Sequence, residues 1–398
     1  MRSSARIFHY FGTRRAYKSN FNPLTSCFSQ RISRIVITKD HYSPKGTFLH
    51  DQNLNSNLIE CTKSGGWLSN SRFNRLKIWY PKSFKYFSSN RHPFGGLTSG
   101  FRAINLNVWR SIYLLPNFRR RNGLNFNVFY IQRKFNGLNS QEVSRVRALL
   151  CLDLGGAESF QHFISDVLPL LLPFRNFLQR NTDIIIGLPE SSRGDVHRLL
   201  LDWVGIQNEI VFLGSNPYFV NELFTITADP KNYVYAVPSS LIYELASQLR
   251  LNKSPQNKIA LLYRNQRTRN IANFDEIKSW LKIFCRNIGY ELLIIDTNKL
   301  DITVVRNLLS ECKILLSPHG GACYNVLFLR KDSLFVEFIP TKNTNTVEYF
   351  ARSSGINYLP IPIDFDFYDR SFVIQPSLMI NLGIAMKDFL DEQESHLT

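Results

Sequence analysis

The sequence predicts an α/β chain built from two doubly wound, Rossmann-like domains. Apolar strand-like runs alternate with segments of helical spacing from about residue 145 onward, and the alternation occurs twice. Between the two series lies a looser stretch, 216–238. Alternation of this kind argues for parallel sheets with helices on both faces. A length of 398 residues also favours two domains over one.

The first series reads as strands at 148–154, 183–188 and 209–213, with helical patterns between them. The second reads as strands at 258–263, 291–295, 313–316 and 334–339. Before residue 145 the chain is rich in Asn, Ser, Arg and aromatics, and 124–131 has the alternation of a hairpin strand. These readings divide the chain into a basic region of no recognisable class (1–100), a first Rossmann-like domain (101–235), a second (236–376) and a closing helix (377–398). No short internal repeat is visible.

Composition sets limits on function. Hydrophobic residues make up 44% and charged residues 20%, an ordinary globular balance that supplies a sizeable core. The six cysteines show no C-x-x-C pair and no zinc spacing. The net charge of +17 is uneven: residues 1–140 hold 23 Lys and Arg against 3 Asp and Glu, whereas the remainder holds 25 against 28. The basic excess belongs to the first third. It would suit an anionic membrane surface or a phosphorylated acceptor, or be a basic arm without a partner. No zinc-finger, RNP or P-loop pattern accompanies it, so nucleic acid is not the expected partner.

The opening stretch, rich in Arg and Ser with Asp40 as its first acidic residue, resembles an organellar transit peptide in composition. No apolar run approaches the ~18–20 residues that span a bilayer. The compartment stays open between cytoplasm or peripheral inner membrane for a bacterial chain and ER or Golgi lumen for a eukaryotic one, with the cytosolic reading preferred.

In open α/β sheets, ligands sit beyond the carboxyl ends of the strands. Three such ends in the second series carry polar residues. The run 258–263 leads into Arg264, Arg267 and Arg269, whose forks match phosphate oxygens, although a solvated basic loop would read the same way. Asn273 and Glu276 follow as an N-cap and its capping-box partner. The run 313–316 ends in Pro318-His319-Gly320-Gly321, then Asn325. Glycines there let backbone amides approach a ligand, and a helix starting after them would aim N–H groups at a phosphate. His319 would donate to a diphosphate or a sugar, or be only a turn residue. Glu337 interrupts the run 334–339, where a buried carboxylate needs a partner. Ribose hydroxyls or a structural partner such as an arginine would each serve.

A fourth constellation lies in the first domain. His162 and Asp166 are four residues apart, so they share a helix face. Either would serve as general base on an acceptor hydroxyl, or the two form a local surface pair.

Taken in order, these pieces resemble the catalytic domain of glycosyltransferase family 61. The family's N-Y-x-H-x-x-x-D-x-L-P looks like Ser159-Phe160-Gln161-His162 through Asp166 to Pro169. Its I-S-R and R-x-x-x-N-E-x-E resemble Arg264, Arg269, Asn273 and Glu276. Its H-G-A-x-L-x-N-x-L-F is similar to His319, Gly320, Asn325, Leu327 and Phe328, and its E-x-x-P to Glu337 and Pro340. Tyr349-Phe350-Ala351, Gly355 and Tyr358 also suit the pattern. The chain departs from it at Ser159 (usually Asn), Phe274 (Glu), Gly321 (Ala) and Cys323 (Leu).

The resemblance implies a GT-B fold whose second domain holds a nucleotide diphosphate and whose closing helix crosses back to the first domain. It implies an inverting, metal-independent enzyme. The co-substrate would be a nucleotide-sugar such as UDP-N-acetylglucosamine, UDP-xylose or UDP-arabinose, with no further cofactor. The acceptor would be a glycan, a polysaccharide or a protein hydroxyl. Asp166, then His162, would be the catalytic base. Arg264, Arg269, His319, Gly320, Gly321, Asn325 and Glu337 would line the donor site. Asp364-Phe365-Asp366 has D-x-D spacing but falls outside the motif frame and reads as a surface loop. A catalytically inactive relative that binds sugar nucleotide or glycan is the alternative.

Overall fold

The computed structural model describes residues 30–37, 66–70, 73–80, 102–121, 124–132, 143–152, 157–190, 194–214, 216–228, 239–254, 256–264, 268–340, 346–364 and 369–395. Most of the basic region 1–100, together with Gly155, Gly156, Arg267, Phe365 and Asp366, lies outside them. The chain forms two compact units, one of Met1–Lys39 with Ser99–Val237 and one of Asp40–Thr98 with Pro238–Thr398. In chain order the strands begin with β1 (Gln30–Ile37) and an antiparallel hairpin of β2 (Gly66–Asn70) and β3 (Phe73–Tyr80).

The first unit is organised on a seven-stranded mixed sheet. It adds to β1 the strands β4 (Arg102–Arg121), β5 (Leu124–Gln132), β6 (Ser144–Cys151), β7 (Ile185–Pro189), β8 (Ile210–Leu213) and β9 (Tyr218–Ala228). The order is β1-β4-β9-β6-β7-β8, with β5 also on β4. Strands β9, β6, β7 and β8 run parallel, as the βα alternation predicts. The long strand β4 pairs antiparallel with β1, β5 and β9. This half of the sheet departs from a purely doubly wound pattern. The stretch read as loose, 216–238, contributes the central strand β9 that joins the two halves.

A helical stretch links β6 to β7. Ser159, in extended conformation, caps its start by accepting from the His162 amide at 3.2 Å. One α-turn, Phe160–His162, passes into a π-turn, Phe163–Val167, where the Leu168 amide bonds back to the Phe163 carbonyl. The register change has a chemical reason. Pro169 has no N–H for the Ser165 carbonyl, and its ring would clash there in an unbroken α-helix. Phe163, Ile164 and Val167 are fully buried beneath this turn.

The second unit has a five-stranded, all-parallel sheet. Its strands are β10 (Lys258–Tyr263), β12 (Glu291–Asp296), β13 (Cys312–Pro318), β14 (Leu334–Pro340) and β15 (Asn357–Ile363). A separate two-strand parallel pair is formed by β11 (Asn270–Ile271) and β16 (Ser371–Phe372). The sheet order β12-β10-β13-β14-β15 is 2-1-3-4-5 when counted within the unit. This is a doubly wound order whose direction reverses between its first and third strands. Every residue of β14 and β15 is buried, as expected where helices cover both faces.

Side chains alternate across that sheet and divide its interior in two. Ile259, Leu261, Ile314, Leu316, Val336, Phe338, Leu359 and Ile361 share one apolar cluster with Ile277, Leu281 and Cys285 of the helix Phe274–Asn287. The closing helix, Pro376–Ser395, adds Met379, Leu382, Met386, Phe389 and Leu390 to the same cluster. Ser317, Glu337 and Tyr358 occupy the intervening positions, so they belong to the opposite face. No helix among the described residues is long and apolar enough to cross a membrane.

The two helices on the apolar face meet closely at Gly383, where an added Cβ would fall 2.8 Å from the Trp280 ring. Trp280 is itself stacked on Phe284 at 5.3 Å, which leaves it little room to yield. Gly383→Leu is therefore expected to cost about 1–3 kcal/mol. It should lower the urea midpoint with an unchanged slope.

Candidate functional site

The carboxyl ends of β10 and β13 flank the point where the strand order of the second unit reverses. Both ends release polar residues there. Tyr263 ends β10 and Arg264 follows it, while Pro318 ends β13 and His319 with Gly320 follow. The two loops converge. A Cβ built on Gly320 would collide with Nη1 of Arg264 and stand 3.6 Å from Nη1 of Arg269. Two guanidinium groups therefore close on one glycine, and any side chain at 320 would push Arg264 away.

Each arginine is held locally. Arg264 Nε donates to the Thr268 carbonyl at 2.9 Å. Arg269 adopts φ 62°, a left-handed conformation that costs a non-glycine residue energy. Its amide bonds to the Asp369 carbonyl at 2.8 Å. Pairing of Asn270–Ile271 with Ser371–Phe372 then continues the attachment. Burial lowers the Arg264 guanidinium from its ordinary pKa. A half-buried cation of this kind is one that an anionic ligand would stabilise.

Asn273 does not act as the sequence suggests. It stands at the start of the helix Phe274–Asn287 but makes no capping bond, with φ −98° and ψ 43°. Its amide donates to the Ile374 carbonyl at 2.9 Å and accepts from the Ile374 amide at 3.0 Å. The backbone of Ile374 has taken the side chain that would otherwise cap the helix. Glu276 meets the same Asn273 amide at 3.0 Å. Phe274, where the family pattern has Glu, packs edge-on against Tyr263 at 4.6 Å.

Glu337 has found protein partners, and neither is an arginine. It is completely buried. Its Oε1 lies 2.6 Å from His319 Nδ1, and its Oε2 accepts from the Tyr358 hydroxyl at 2.6 Å. Tyr358 enters by way of β15, a strand the sequence reading does not include. Arg352 lies over the Tyr358 ring at 5.8 Å and donates to Glu348 at 2.8 Å, so the network continues outward through charged groups.

After Gly320 the chain makes a 3₁₀ helix, Gly321–Phe328, whose residues from Cys323 to Phe328 are all buried. Gly321 starts it. Asn325 spends its amide on the Ala322 carbonyl at 2.8 Å, tying the turn together. Cys323 donates its thiol to the Pro318 carbonyl at 3.2 Å, and burial beside Glu337 pushes that thiol well above the ordinary range.

In the first unit, His162 Nδ1 and Asp166 Oδ2 are 2.8 Å apart, each side chain about one-third exposed at 32%. Ser165, absent from the sequence-derived candidates, donates to Asp166 Oδ1 at 2.8 Å. Asp166 sits inside the π-turn, a widening often found at functional sites. Asp364, at the end of β15, is exposed.

An open parallel α/β sheet with converging arginines at its reversal point is an architecture that binds anionic ligands such as nucleotides. Residues 160–336 match the family model Glycosyltransferase 61, a match that supports membership of that family. The match includes His162, Asp166, Arg264, Arg269, His319, Gly320, Gly321 and Asn325, and ends one residue before Glu337. No curated protein matches the chain. Among solved structures, the flavodiiron protein from Giardia intestinalis is similar over 59% of this chain and 55% of that one, at 12% identity and a TM-score of 0.24. A likeness at that score says nothing of fold or activity.

Two substitutions probe this geometry. Glu337→Ala would leave the Tyr358 hydroxyl and His319 Nδ1 buried without their acceptor. The expected loss is roughly 3–5 kcal/mol, read from chemical denaturation. Tyr358→Phe should cost less, about 1–3 kcal/mol, because Glu337 keeps His319.

Proposed function

We propose that the second unit binds the diphosphate of a nucleotide-sugar, with UDP as the nucleotide, and that the protein transfers the sugar to a hydroxyl of a glycan, polysaccharide or protein. The observation that carries this is the convergence of Arg264 and Arg269 on Gly320, at the reversal point of a parallel sheet within a family 61 segment. Two bidentate cations beside a bare backbone suit a diphosphate better than they suit a neutral ligand.

In this reading the reaction is a single in-line displacement at the anomeric carbon with inversion. Asp166, oriented by His162 and Ser165, takes the proton of the acceptor hydroxyl as the new glycosidic bond forms. The bond from the anomeric carbon to the diphosphate oxygen breaks, and Arg264 and Arg269 stabilise the negative charge that develops on the leaving group. A GT-B arrangement of the two units belongs to the same proposal, as does independence of a metal ion. The basic residues within 1–140 are assigned to an anionic membrane surface.

Thermal stabilisation by UDP, GDP, CMP and ATP tests the donor site. UDP at about a hundredfold excess over its Kd should add about 2.7 kcal/mol of stability. Arg264→Ala should weaken that binding roughly ten- to hundredfold, corresponding to loss of a charged hydrogen-bonding group. No stabilisation by any nucleotide would contradict the reading. For the chemistry, Asp166→Ala should lower kcat about 10²–10⁴-fold while leaving UDP stabilisation intact. Transfer should also persist in excess EDTA, and its abolition by chelation would overturn the metal-independent assignment.

A further inference from the structure

Arg269 is held in a backbone conformation that an arginine does not favour. Its φ of 62° lies in the left-handed region, where a residue with a Cβ is strained. Such a conformation persists only where the surroundings over-determine it. Segment 369–374 runs alongside 269–273 and supplies that determination. The Arg269 amide donates to the Asp369 carbonyl at 2.8 Å, the Asn270 amide to the Arg370 carbonyl at 3.0 Å and the Ala272 amide to the Phe372 carbonyl at 2.7 Å. Asn273 closes the series with its side chain, donating to the Ile374 carbonyl at 2.9 Å and accepting from the Ile374 amide at 3.0 Å.

That last attachment differs in kind from the others. Ile374 is completely buried, and Ile271 and Phe372 nearly so, all three within the apolar cluster of the second unit. Buried backbone groups need hydrogen-bond partners, and one side chain supplies both of those at Ile374. A pair of two-residue strands is marginal by itself. A two-bond lock on a buried residue at its end fixes its register. Asn273 does this without making a capping bond to the helix Phe274–Asn287 that it precedes.

Building on the nucleotide-sugar reading, we propose that Asn273 is a positioning residue of the diphosphate site. By locking Ile374 it holds 269–273 against 369–374. That pairing keeps Arg269 left-handed, and the left-handed turn keeps its guanidinium at Gly320, where Nη1 stands 3.6 Å from the place of a Cβ. Asn273 acts through Arg269 and not on the ligand. With the lock removed, Arg269 relaxes to negative φ and its guanidinium leaves the site.

Asn273→Ser separates this role from a purely structural one. Serine is a good N-cap, so the helix start is kept or improved, but its short hydroxyl cannot bridge both backbone groups of Ile374. The first readout is amide hydrogen exchange without ligand. The amides of Arg269, Asn270 and Ala272 should exchange roughly tenfold faster or more, with those of β10 and β13 unchanged. Unchanged protection at all three would overturn the lock. The second readout is UDP affinity in the wild type, Asn273→Ser, Arg269→Ala and the double variant. Asn273→Ser should weaken UDP about three- to tenfold, part of the value of a charged hydrogen bond, and should weaken it no further once Arg269 is alanine. Wild-type affinity in Asn273→Ser, or an equal loss in both backgrounds, would overturn the coupling to Arg269. Asn273→Asp keeps the acceptor for the Ile374 amide but lacks the donor, and it takes the same place in the cycle if the serine variant does not fold. Failure of UDP to bind the wild type would instead remove the donor reading, and hydrogen exchange would still decide the lock.

Discussion

A carboxylate sealed inside a parallel sheet is the constraint around which the second unit's polar residues are arranged. Glu337 is fully buried on β14, among residues that are otherwise apolar. An ionised group there is costly unless both oxygens are hydrogen bonded. His319 arrives from the end of β13, and Tyr358 stands on β15 on the other side. Strands on both sides of β14 thus contribute one partner each. The parallel register that sets Ser317 beside Glu337, and Glu337 beside Pro360, brings those partners within reach. Once His319 is held, the chain after it must turn over the strand ends, and Gly320 is the residue that meets the arginines.

The site therefore has two kinds of support. The His319 side rests on a buried network fixed by strand register. The arginine side rests on loop backbone: Thr268 holds Arg264, and Asp369, through the small β11·β16 pair, holds Arg269. Gly320 is where the two meet. In the first unit the local design differs again. There a proline forces a π-turn, and the turn carries Asp166 between His162 and Ser165.

Much of the second sheet was legible in the sequence because its strands are buried on both faces and read as continuous apolar runs. The run at 258–263 is the observed β10, and 291–295 falls one residue short of β12. Strand β15 was hidden by Pro360 and Pro362, which ordinarily argue against a strand. It is tolerated because β15 is the edge of its sheet, where alternate N–H groups have no neighbour to meet. Strand β9 was hidden by Asn221 and Glu222 within its run. Its antiparallel pairing with β4 joins residues more than a hundred positions apart, which no local pattern reveals. Among the candidate site residues, the sequence placed Arg264, Arg269, His319 and Gly320 at strand ends, and the structure brings them together. It also showed that Glu337 needed a partner. It named Tyr358 only as suiting the family pattern and not as the partner of Glu337, because pairing between β14 and β15 is a matter of register. The capping role expected of Asn273 failed for the same reason, since its partner, Ile374, is remote in sequence.

The central claim is that Arg264, Arg269 and the backbone at Gly320 form one diphosphate site. The most direct measurement is a crystal structure of the protein soaked with UDP. The account predicts diphosphate density beyond the ends of β10 and β13, within hydrogen-bond distance of both guanidinium groups. Well-ordered UDP elsewhere on the chain, with Arg264 and Arg269 making no contact to it, would contradict the account.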